Sequence, residues 1–100
     1  MKSIVLTVLL SLLVAPAALA TERPQQAVQR LAAAIKNQPT DMDARRNIAD
    51  CFIKMGLAAR ASEQMRIVMQ YGQRTPQDFI LLGDAQRYSG KYTDAIRTYQ

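Results

Sequence analysis

Beyond Pro24 the apolar residues recur three and four positions apart with polar residues between them, the spacing of helices that pack by one face. In residues 25–37 they are Ala27, Val28, Leu31, Ala34 and Ile35, and Pro39 closes the segment. Thr40-Asp41-Met42-Asp43 then has the make-up of a helix start, with an acid in the first turn where the positive end of the helix dipole favours it. Ala44, Ile48, Cys51, Phe52 and Met55 follow on one side as far as Gly56. A third helix is predicted from about residue 58 to residue 71, with Ala61, Met65, Val68 and Met69 inward and Gly72 as its stop. Thr75-Pro76-Gln77-Asp78 repeats the start signal in stronger form. Thr is an N-cap, Pro stands in the first helical position where its missing N–H is harmless, and Asp lies near the positive helix end. Phe79, Leu82, Gly83 and Gln86 continue the register, Gly90 turns the chain, and Tyr92, Ala95, Ile96 and Tyr99 open a last helix. No strand-like alternation and no Gly/Ser tract competes with this pattern after Pro24.

The helices repeat. Ile48 and Leu82, Ala49 and Gly83, and Gly56 and Gly90 are each separated by 34 residues, as are Ala27, Ala61 and Ala95, and Leu31, Met65 and Tyr99. A fixed period with matching residue types at matching points is the signature of a stacked repeat. The small residues allow backbones to approach, and the bulky ones a turn away fill the space around that contact. The expected fold is therefore all-α, an α-solenoid of antiparallel helix pairs.

Residues 42–75 resemble one complete tetratricopeptide repeat and residues 76–100 the start of a second. Leu82-Gly83-Asp84-Ala85, Tyr88, Gly90-Lys91-Tyr92 and Ala95-Ile96-Arg97-Thr98-Tyr99 carry the most specific part of the likeness. Residues 25–39, with Ala27, Leu31, Ala34 and Pro39, resemble the second helix of a preceding unit. Arg45 stands where the family prefers a large aromatic, Gln73 where Pro usually closes the unit, and Phe52 has Gln86 as its partner one period on. The resemblance implies a right-handed helix–turn–helix solenoid over residues 21–100 whose inner face grips a segment of a protein or peptide partner.

Residues 1–20 have another character. Lys2 is followed by an apolar run from Ile4 to Val14 broken by Thr7 and Ser11, and then by Ala15-Pro16-Ala17-Ala18-Leu19-Ala20. That is the plan of a secretory signal peptide, with cleavage expected after Ala20 and a second small-x-small site at Ala15-Pro16-Ala17. A periplasmic or secreted protein is the expectation, touching the membrane only transiently through this segment. The alternative is a membrane anchor through residues 4–20, which reach the lower limit of about 17 apolar residues for a span.

Composition narrows the chemistry. The chain has thirteen Lys and Arg against eight Asp and Glu, dispersed over every segment rather than gathered in a stripe, so nucleic acid is not an expected partner. It has no His and a single Cys, which removes His-based acid–base catalysis, Ser-His-Asp and Cys-His nucleophiles, an internal disulfide and Cys/His zinc sites. No enzyme, cofactor or metal is expected. Cys51, Met55, Met65 and Met69 read as core filling, and Asp41, Asp43 and Asp78 as helix-start acids.

Transferred by register from the resemblance, the partner-binding positions are Asp43, Arg46, Asp50, Ile53 and Lys54 in the complete unit and Gln77, Ile80, Asp84, Arg87 and Tyr88 in the next. Arg46 and Arg87 could bind carboxylates and Tyr88 with Ile80 could anchor an apolar group. In the competing reading, Arg46 with Asp50 and Asp84 with Arg87 pair along their own helices. Family members that hold acidic C-termini use Lys, Arg and Asn along this face, and Asp50 and Asp84 argue against that use here. Two functions follow as expectations. The first is a non-enzymatic scaffold or escort module in the bacterial envelope. The second is a structural or oligomerising N-terminal part of a larger envelope assembly, self-associating through the uncovered last helix, with Tyr92, Ile96 and Tyr99 in need of cover and further repeats expected after Gln100.

Overall fold

In the computed structural model, residues 22–100 are described; the signal or anchor expected within residues 1–20 lies outside them. The described residues form five helices: α1 (Pro24–Asn37), α2 (Met42–Lys54), α3 (Ala58–Tyr71), α4 (Pro76–Tyr88) and α5 (Tyr92–Tyr99). Each packs on its neighbours in chain order, and α2 also packs on α4, so the first helices of successive units lie against one another. This is an α-solenoid built from helix pairs.

Local chemistry sets the ends. The Asp41 carboxylate accepts from the Ala44 N–H at 3.0 Å and starts α2. Thr75 and Asp78 bond reciprocally, the Thr75 hydroxyl accepting from the Asp78 N–H and the Asp78 carboxylate from the Thr75 N–H, so two otherwise orphaned donors are satisfied at the start of α4. The turns between paired helices repeat bond for bond. Gly56 N–H reaches the Ile53 carbonyl and Leu57 N–H the Phe52 carbonyl; one period on, Gly90 reaches Arg87 and Lys91 reaches Gln86. Gly56 (φ 76°) and Gly90 (φ 82°) supply the left-handed residue these helix ends require.

The core is a continuous cluster of Ala27, Leu31, Ala44, Ile48, Ala49, Phe52, Ala61, Met65, Val68 and Ala85. Met65 and Val68 are wholly enclosed. The expected inward residues Cys51, Met55 and Met69 are only half-buried, because each lies at the margin of its helix's packed face. The departures from the family pattern are polar substitutes. Arg45 donates to the Gln64 side chain at 2.9 Å and to the Pro39 carbonyl at 3.1 Å. Gln86, opposite in period to Phe52, accepts from Thr98 at 2.6 Å and so links α4 to α5. The Tyr99 ring packs directly on Gly83, where a Cβ would make it shift.

Candidate partner-binding face

The contact between α2 and α4 brings the two sets of expected positions onto adjacent helices. Their side chains are not equally free. Arg46 is held from three sides: its Nε lies 2.7 Å from Asp78 Oδ1, one terminal nitrogen 2.8 Å from Asp43, and the other 3.0 Å from the Gln73 carbonyl and 3.2 Å from Asp78 Oδ2. Asp78 is completely buried, and this bidentate grip with the Thr75 N–H satisfies its charge. Burial alone would raise the Asp78 pKa, but the Arg46 guanidinium and the Thr75 backbone outweigh it and hold the carboxyl below its ordinary value. The same bond raises the Arg46 pKa.

The expected pairing of Arg46 with Asp50 therefore does not form. Asp50 pairs instead with Lys54 at 3.0 Å, one turn along α2. Asp84 and Arg87 do pair, at 3.8 Å, and Arg87 also stacks its guanidinium over the Tyr88 ring at 4.5 Å. The Tyr99 hydroxyl donates to the same Asp84 carboxylate. Ile53 is half-buried against the core, whereas Gln77, Ile80 and Tyr88 are exposed, Tyr88 at 61%. Asp43 reaches out to solvent from its bond to Arg46.

Asp78 is the residue whose part sequence reasoning missed. As the third residue of a helix it reads as a capping acid, which it is, and its link to Arg46 joins two repeats. Opposite charges 32 residues apart, close to the period, are the signal that marks such a pair.

Two hollows border the face. One of about 500 Å³ lies at the end of the stack among Arg74, Pro76, Phe79, Ile80, Thr98, Tyr99 and Gln100. The other, about 290 Å³, lies between α1 and α2 and is lined by Glu22, Arg30, Asp50, Cys51 and Lys54 among others. Burial, with Asp50 adding to it, pushes the Cys51 thiol pKa up. Among the described residues no group of three or more Cys, Asp or Glu is placed to hold a metal ion, and no helix is long and apolar enough to cross a membrane.

In comparisons with known proteins, a family model of the tetratricopeptide repeat matches residues 18–77. No curated protein and no solved structure matches the chain.

Proposed function

The chain belongs to the tetratricopeptide repeat family, whose repeats mediate protein–protein interaction, and from that premise we propose a non-enzymatic scaffold or escort module of the bacterial envelope that binds a partner segment across α2 and α4. The observation that carries this reading is the side-by-side placement of α2 and α4, which leaves Ile80 and Tyr88 standing in solvent beside a rank of fixed polar groups. Solvent-facing aromatic and aliphatic groups on a rigid helix face are the usual anchors of a protein contact. Delivery to the envelope rests on the leader-like residues 1–20, with release after Ala20 or retention through residues 4–20 as the two forms.

Pull-down from envelope extract tests the reading, comparing the parent chain with a Tyr88→Ala/Ile80→Ser variant shown to keep its helical circular dichroism. A protein retained by the parent and lost by the variant is the expected result; identical retention by both would remove the face from consideration. Arg46 is unsuited to this test because its loss strands the buried Asp78.

A second reading has its own observation. Phe79, Ile80 and Tyr99 are exposed and line the larger hollow, and Tyr92 and Ile96 are exposed on α5. An apolar end of this kind fits a structural piece that joins a second copy or another subunit of an envelope assembly. Sedimentation equilibrium of the parent beside a Phe79→Ser/Ile96→Ser variant separates the readings: concentration-dependent association abolished by that variant favours the structural role, and a monomer throughout opposes it.

A further inference from the structure

The face across α2 and α4 carries three cations, Arg46, Lys54 and Arg87, and each is already matched. Arg46 lies between Asp43 and Asp78, Lys54 is on Asp50, and Arg87 is on Asp84 and over the Tyr88 ring. Among the described residues, Arg60 and Lys91 have no carboxylate at ion-pair distance and lie off these helices; Arg74, likewise without one, donates to the Met69 carbonyl just before α4 and lines the hollow beside Ile80. α2 and α4 together carry four cations and four acids, so the positive balance of the whole chain lies on other segments.

Resting on the function proposed above, we infer that this face selects an uncharged partner segment with aliphatic or aromatic side chains, rather than an acidic or a basic tail. An acidic segment that recruited Lys54 or Arg87 would release Asp50 or Asp84 beside its own carboxylates, exchanging one exposed pair for another with little gain. Arg46 cannot be recruited at all, because Asp78 beneath it is wholly enclosed and would be left as an unpaired buried charge. A basic segment meets the same obstacle in reverse, since Asp43, Asp50 and Asp84 each already face a cation. On the face itself these three cations stand against Asp43, Asp50, Asp78 and Asp84, leaving one net negative charge, so it projects little field and steers charged partners weakly. What it offers is apolar: Ile80, the Tyr88 ring held by Arg87, and the exposed edge of Ile53, with the Gln77 amide as a hydrogen-bonding group. An aliphatic or aromatic side chain laid on these gains by leaving water, and the stacked guanidinium limits the freedom Tyr88 has to lose.

The test uses the full chain and three sets of labelled short peptides of equal length, one neutral and rich in Leu, Val and Phe, one rich in Glu and one rich in Lys. Fluorescence polarisation is read in about 0.01 M and about 0.15 M salt, which shortens the Debye length from about 30 Å to about 8 Å. The neutral set is expected to bind with the same affinity in both salts and to lose about tenfold in the Tyr88→Ala variant, while Arg60→Gln, on α3 away from the face, changes nothing. Preferential binding of the Glu-rich or Lys-rich set, weakening as salt rises, would overturn the inference while leaving the face as a binding site. Neutral peptides that bind Tyr88→Ala and Ile80→Ser variants as well as the parent, or no binding by any set, would overturn the proposed binding face itself and this inference with it.

Discussion

At the residue scale the decisive contact is Arg46 with Asp78. One carboxylate caps α4 through the Thr75 N–H and ties that helix to α2 through a bidentate guanidinium. Asp78→Ala is expected to cost about 2–3 kcal/mol in urea unfolding, below the about 3–5 kcal/mol of a wholly buried pair, because Arg46 keeps Asp43 and the Gln73 carbonyl. The pH dependence follows from the lowered pKa of Asp78 in the folded chain. The stabilisation is complete above the unfolded aspartate value of about 3.9 and is lost as pH falls through the folded value beneath it. An Asp78→Asn variant is expected to show a shallower loss of stability over that acid range than the parent; an unchanged acid profile would contradict the role. In the core, Met65→Ala is expected to cost about 3 kcal/mol, since Met65 is fully enclosed.

At the scale of elements, starts and turns hold the helices in place. Removing the Thr75 cap by Thr75→Ala is expected to cost about 1 kcal/mol and lower Tm by about 5 °C in thermal circular dichroism. At Gly56 a Cβ would meet nothing within 4 Å, so Gly56→Ala isolates the backbone cost of a left-handed residue, about 1–2 kcal/mol. These elements were legible in the sequence because their causes are local: Thr75-Pro76-Gln77-Asp78 states a helix start on its own, and Gly56 and Gly90 state the turns. The 34-residue matches of Ala27, Ala61 and Ala95 and of Ala49 with Gly83 made the stacking readable as well. The partners of individual charges were not readable in the same way. Arg46 had Asp43 and Asp50 on its own helix and Asp78 on another, and only the approach of α2 to α4 chooses Asp78. The half-burial of Cys51 and Met69 likewise depends on where the neighbouring helices stop covering them.

At the scale of the whole molecule, repeated pairs stack side by side, and the face across α2 and α4 is the one we propose for contact with a partner. Its charges are absorbed internally and its apolar groups remain outside, the reverse of the arrangement within each helix pair. The measurement that tests this account most directly is in-cell photo-crosslinking with p-benzoylphenylalanine placed at Tyr88, on the proposed face, and separately at Arg60, exposed on α3. A discrete adduct with another protein from the Tyr88 position and none from Arg60 is the expected result. Adducts of equal yield from both positions, or from Arg60 alone, would contradict it.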